Sequence, residues 1–225
     1  MLLRTVPIFA RRFGAQFVEF KVHRTSTPSP YRYAAGMAKN IVLVRHAETE
    51  WSLSGRHTGR TDLPLLASGE SKVRGARALV DAHGFQFNLV LTSPLQRAVR
   101  TSALMGFENA EHTDDLLEWN YGEYEGLTTN AIHEGDPQWS LFQDGCPKGE
   151  NAEEVAVRVR RVIDRCLKVE GDALLFAHGH VLRVLAATWL RLAPEDGERF
   201  TLSTASVSIL GFEHENRVIR QWNSV

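Results

Sequence analysis

Five residues could do chemistry together: Arg45, His46, Arg97, Glu118 and His178. Guanidinium groups match phosphate oxygens in pairs and stay charged. A neutral imidazole is a nucleophile toward phosphorus. A carboxylic acid can protonate an alkoxide as it departs. Two arginines, two histidines and a carboxylate therefore suit an anion that reacts, and phosphoryl transfer through a phosphohistidine is the chemistry they would carry. In that scheme His178 is expected to act as a cation beside the transferring group. Taken singly these residue types are commonplace, and a pair such as His178 and His180 can also bind metal. Cys and carboxylate partners at metal-ligand spacing are missing, so no metal site and no cofactor is expected.

The elements that must bring the five together follow from the hydrophobic pattern. The stretch "NIVLVRH", 40–46, reads as a buried strand. Residues 66–84 read as a helix capped by Ser68 and stopped by Gly84. A second strand is expected over 87–93, then a helix over 94–106 with Pro94 in its first turn. Residues 118–149 look irregular, with one short helix at 128–134. A long amphipathic helix follows over 150–171, a third strand over 172–179 and a helix through 180–192. Residues 205–223 alternate like a hairpin.

Strand–helix alternation with short loops predicts an α/β fold, a mostly parallel central sheet with helices on both faces. In such sheets ligands sit beyond the carboxyl ends of the strands. Three predicted strands end in Arg45-His46, Thr92-Ser93 and His178-Gly179-His180, so one shared crevice is expected. Helix N-termini near Pro94 and Gly179 are expected to aim N–H groups at the anion.

Composition narrows the class. Residues 1–39 carry seven Lys or Arg and a single acid, Glu19; the remainder holds 19 basic and 26 acidic side chains and is net −7. A body of that sign disfavours a nucleic-acid partner. No apolar run long enough for a membrane span occurs. Cys146 and Cys166 show no paired framework, which fits reduced thiols and a cytoplasmic setting. Residues 1–36 have no clear period and include "RTSTPSPYRY". They are expected to be a disordered or non-native extension, with translation from Met37 and the working domain over 37–225. Being Arg-rich and acid-poor, they would alternatively serve as a mitochondrial transit peptide.

Four blocks, "VRHAETEW", "TSPLQRAVRTS", "LLEWNYGEYEG" and "FAHGH", resemble in their order the signatures of the histidine phosphatase superfamily, whose fold is phosphoglycerate mutase-like. The resemblance spans roughly residues 40–220. The stretches "SGRHTGRTDLPL", "DGCPKGE" and "FAHGHVLR" are similar to its small bacterial acid phosphatases and sedoheptulose-bisphosphatase-like members. It implies His46 as nucleophile, Arg45, Arg97 and His178 as phosphate pocket, and Glu118 as general acid and then base. Thr58 and Gly59 match a phosphate- or substrate-contacting Thr-Gly, with His57, Arg60, Tyr121, Gly179 and His180 around the substrate rim. Two positions depart from the pattern. Ala47 stands where the family usually has glycine, which would be strained in a left-handed conformation. Ser52 stands where asparagine is frequent and would donate one hydrogen bond over a shorter reach.

The expected activity is hydrolysis of small phosphate monoesters, sugar phosphates above all. A phosphoglycerate mutase is the first alternative, disfavoured because the mutases' long basic insertion is missing between Glu118 and His178. A non-catalytic phosphoester-binding module is the second, supported only by Ala47 and Ser52. Trp51, Trp119, Trp139 and Trp189 read as packing residues. The C-terminal hairpin offers an edge strand through which a homodimer would form.

Overall fold

The computed structural model describes residues 38–225. The extension over 1–36 and the boundary at Met37 lie outside the described residues.

The run Ile41–Val44 is apolar on both alternating faces, as a strand covered on both sides must be. It forms the heart of β1 (Ala38–Arg45). The chain then runs through α1 (Glu50–Ser54), α2 (Ala67–Asp81), β2 (Phe87–Thr92), α3 (Gln96–Leu104), β3 (Glu111–His112), α4 (Thr129–His133), α5 (Leu141–Asp144), α6 (Ala152–Leu167), β4 (Gly171–Ala177), α7 (Gly179–Trp189), β5 (Val207–Glu213) and β6 (Asn216–Ser224). The six strands lie in the order β3-β2-β4-β1-β5-β6. The β3–β2, β2–β4 and β4–β1 pairings are parallel. The β1–β5 and β5–β6 pairings are antiparallel. The mostly parallel α/β sheet expected from the sequence is the one observed, with the antiparallel hairpin at one edge.

Alternate residues of β1 feed two cores. Ile41 and Leu43 pack with Leu175, Val159, Val162, Val181 and Leu185, which brings α6 and α7 onto one face. Val42 and Val44 pack with Phe176, Val73, Ala76, Val80 and Met105, which places α2 and the end of α3 on the other. Each fully buried Val, Leu, Ile or Phe contributes about 1.5–3 kcal/mol of transfer free energy, so these two layers dominate stability. Helix α6 starts on a capping box, Asn151 with Glu154, as its amphipathic run requires.

Local details differ from expectation. Ser68 is not a cap: α2 begins at Ala67 behind Leu66, with no side-chain cap. Tertiary contact replaces it. The Leu66 N–H donates to the Glu48 carbonyl at 2.8 Å, and a Cβ on Gly69 would come within 2.7 Å of the Glu48 backbone. Pro94 stands outside α3, whose N-cap is Leu95. The first N–H of that helix, on Gln96, donates to Asp62 Oδ1 at 2.9 Å. Helix α5 and strand β3 had no visible period, being too short for one.

Candidate active site

The parallel ladder carries the candidate groups to one edge. Arg45 pairs with Ala177. One step further the His46 N–H donates to the Ala177 carbonyl, and the Ser93 N–H to the Phe176 carbonyl, each at 2.9 Å. His46, Ser93 and His178 therefore leave three adjacent strands side by side. The imidazoles of His46 and His178 meet edge-on, 5.1 Å between centroids.

The His46 ring is held in one tautomer. Its Nδ1 lies 2.6 Å from the Ala47 carbonyl, which can only accept, so Nδ1 carries the proton and Nε2 keeps its lone pair. Burial first, then the Arg45 and Arg97 charges, hold His46 well below the ordinary histidine range, outweighing the Ala47 hydrogen bond. It is neutral in mildly acidic solution.

His178 is neutral as well, against expectation. Arg97 Nε donates to its Nδ1 at 3.0 Å, which requires a lone pair there. Nε2 then carries the proton toward Ser93 Oγ at 2.7 Å. Burial, Arg97 and His46, in that order, lower its pKa well below the usual value.

Arg97 is wholly buried, and most of its N–H groups serve the protein. Besides His178, it donates Nη1 to the Thr61 carbonyl at 2.8 Å, and Nη2 to the Thr58 and Gly59 carbonyls at 3.1 and 2.9 Å. It thereby ties the 58–62 loop to α3. Glu125 holds the same loop from the other side, accepting from the Gly59 and Thr61 N–H groups. A Cβ at Gly59 would lie 2.6 Å from the Trp119 carbonyl, so no larger residue fits that position.

Glu118 is reached by α7. Its Oε1 accepts from the Trp119 and Val181 N–H groups, both at 2.9 Å, and its Oε2 accepts from the His180 N–H at 3.0 Å. Oε1 has both lone pairs engaged by these donors; Oε2 keeps one for a transferred proton. Two N–H groups at the start of α7, those of His180 and Val181, thus serve Glu118, and the Gln96 N–H of α3 serves Asp62, while Gly179, the first residue of α7, lines the crevice.

Arg45 adds a charged donor to the crevice. Its Nη1 donates to the Leu202 carbonyl, while its Nε is buried with no hydrogen-bond partner. An unpaired buried N–H is costly unless a ligand completes it. Gly179 lies against this guanidinium; a Cβ there would be 3.3 Å from Arg45 Cζ.

A crevice of about 240 Å³ joins Arg45, His46, Ser52, His57, Thr58, Glu118, Tyr121, Gly179 and His180. Arg97 and His178 back it rather than line it. Arg60 stands apart, 3.9 Å from Glu150 Oε2, and Gly59 contributes backbone alone. Ser52 lines the crevice, but its hydroxyl donates to the Thr49 carbonyl at 2.9 Å and accepts from the Thr49 N–H, completing the cap of α1. It is not the free donor expected of it. Ala47 has no left-handed backbone; it is fully buried, and its N–H donates to Thr101 Oγ1. The strain anticipated at that position is therefore missing.

Five lining residues escaped the sequence reading: Gly55, Arg56, Thr129, Arg183 and Leu202. Arg183 stands one turn beyond Gly179 on α7, its guanidinium 4.5 Å above the Phe142 ring and its Nε donating to the Gly197 carbonyl. Helical spacing from Gly179 was the available signal. His57, Tyr121 and His180 form an aromatic wall, with the Tyr121 hydroxyl and His180 Nδ1 sharing a 2.6 Å hydrogen bond. A larger cavity, about 460 Å³, opens at the start of the strands around Asn40 and Asp172, far along the sheet from His46. Among the described residues no three His, Cys, Asp or Glu side chains converge as a metal site would need, and no helix is long and apolar enough to cross a membrane.

This fold and site define the phosphohistidine class of phosphoryl-transfer proteins. The chain belongs to the histidine phosphatase superfamily (branch 1), whose model matches residues 41–225, and it is an enzyme of that family. It is 39% identical over 176 residues to an acid phosphatase of Mycobacterium tuberculosis, covering 77% of this chain and 87% of that one. It is 35% identical over 187 residues to the sedoheptulose 1,7-bisphosphatase of Saccharomyces cerevisiae, covering 69% of each. The solved structure of a Mycobacterium tuberculosis open reading frame superposes with a TM-score of 0.81 at 36% identity, over 83% of this chain and 98% of that one. Relatives named as phosphoglycerate mutases share the family.

Proposed function

We propose that the chain hydrolyses small phosphate monoesters, sugar phosphates in particular, through a phosphohistidine on His46. The carrying observation is the pairing of a neutral, tautomer-locked His46, Nε2 free, with the unpartnered buried Nε of Arg45. The His46 Nε2 lone pair attacks phosphorus, and the bond from phosphorus to the ester oxygen breaks. Glu118 Oε2 gives its proton to the departing alkoxide. Glu118, now ionised, takes a proton from water, which attacks phosphorus and releases phosphate and neutral His46. Arg183 and Arg56 on the crevice wall suit a second anionic group on the substrate, which agrees with the bisphosphatase relative.

The mutase reading differs in who accepts the phosphoryl group. Nothing in the 118–178 segment resembles a long basic lid, so water is the acceptor favoured here. A homodimer through the β6 edge and a cytoplasmic location, in keeping with the free thiols Cys146 and Cys166, complete the proposal. The test is covalent trapping. Enzyme quenched during turnover of a labelled ester should carry acid-labile, base-stable label on His46, absent in His46→Ala, while free phosphate accumulates. Label on an aspartate or serine would end the histidine mechanism, and an isomerised ester without free phosphate would establish the mutase.

A further inference from the structure

Residues 115–120 carry Glu118, yet beyond the short 3-10 turn Asp114–Leu116 they belong to no helix or strand ladder. Their backbone groups must find partners elsewhere. One side chain meets that demand. Arg158, two turns into α6 and only 6% exposed, spends all five of its N–H groups. Nη1 donates to the Asp115 and Leu117 carbonyls, at 3.0 and 2.5 Å. Nη2 donates to the Glu118 carbonyl at 3.3 Å and to Glu150 Oε2 at 3.1 Å; Nε donates to Glu150 Oε1 at 2.9 Å.

Glu150 grips the other end of the segment. Its Oε2 accepts from the Asn120 N–H at 2.8 Å, its carbonyl accepts from Trp119 Nε1 at 2.7 Å, and its N–H donates to the Asn120 carbonyl at 2.8 Å. A buried ion pair is costly unless its hydrogen bonds are complete, and here they are completed by the backbone on either side of Glu118.

We infer that Glu150 and Arg158 are positioning residues, whose paired side chains clamp the backbone around Glu118 and so place its carboxylate for proton transfer. The inference rests on the acid role proposed for Glu118. It predicts a loss confined to that proton. A lysine at 158 keeps the charge but lacks the fork that reaches three carbonyls and a carboxylate at once. A displacement of about 1 Å at a reacting group costs roughly 10²-fold.

The experiment compares full-length Arg158→Lys and Glu150→Gln in single-turnover phosphorylation, with an alkyl phosphate and with p-nitrophenyl phosphate. We expect a loss of roughly 10²-fold with the alkyl ester and less than about threefold with the nitrophenyl ester, which needs no acid. Combined with Glu118→Gln, neither variant should add a further loss. Equal losses for both esters, or losses that multiply with Glu118→Gln, would overturn the clamp. So would failure of both variants to fold, since the pair would then hold the domain rather than Glu118. If Glu118→Gln alone showed no preference between the esters, it is the acid role that fails, and the two failures are thereby told apart.

Discussion

Arg97 Nε donates to His178 Nδ1 across 3.0 Å, although the two residues lie 81 positions apart. That one bond decides the charge of the second histidine. A protonated Nδ1 cannot accept it, so His178 enters the reaction neutral rather than as a cation, its Nε2–H turned to Ser93 Oγ. The positive charge at the site then comes from guanidinium groups, which do not titrate near neutrality.

The acid limb of kcat/KM should therefore reflect His46 and lie below pH 6.5. His46 is held well below its ordinary value by burial and by Arg45 and Arg97, so it remains a nucleophile where a free histidine is charged. On the acid side kcat/KM should fall only as His46 itself takes up a proton, so activity should persist well into mildly acidic solution. An acid limb with its midpoint above 6.5 would contradict a neutral, buried His46.

Stability should move the other way. His46, His178 and His180 all have folded pKa values depressed well below 6.5, chiefly by burial. Above about pH 6.5 both folded and unfolded chains are neutral at these positions, and stability is full. As pH falls from there, the unfolded chain takes up protons that the folded chain refuses. Stability then drops by up to about 1.4 kcal/mol per pH unit for each histidine, until the folded values are reached. Urea midpoints measured between pH 8 and 5 check this, and His180→Gln should make the decline shallower.

Glu118→Gln should slow phosphorylation by roughly 10²–10⁴-fold with esters of poor leaving groups. With p-nitrophenyl phosphate the loss in that step should shrink, because the leaving group needs little protonation. Single-turnover measurement is required, since the variant also lacks the base for dephosphorylation. An equal slowing with both esters would move the acid role to another carboxylate.

Two glycines should respond oppositely to alanine. Gly59→Ala pushes a methyl to within 2.5 Å of Glu125 Oε2 and 2.6 Å of the Trp119 carbonyl. It should cost roughly 1–3 kcal/mol and lower kcat/KM, because the carbonyls of that loop hold Arg97. Gly75→Ala, on α2 with open space around it, should stabilise by roughly 0.5–1 kcal/mol without touching activity. Urea denaturation of both, beside the parent chain, settles the contrast.

Which candidate residues share one edge was legible in the chain itself because strand ends are marked by where apolar runs stop. Val44 gives way to Arg45-His46 and Ala177 to His178, and a parallel ladder can only align them. The fold class, the crevice at that edge, and His46 and Glu118 within it all follow from such local patterns and from the four signature blocks. What each group is free to do did not follow. Arg97 is occupied by Thr58, Gly59, Thr61 and His178; the His180 and Val181 N–H groups by Glu118; the Gln96 N–H by Asp62; the Ser52 hydroxyl by its own cap. Arg183, Glu125 and the Glu150–Arg158 clamp have no period that sets them apart from solvated charges. Hydrogen-bond capacity is finite, and most of its partners here lie dozens of residues away along the chain. Only the closed tertiary structure decides which donors are already spent and which, like Arg45 Nε, await a ligand.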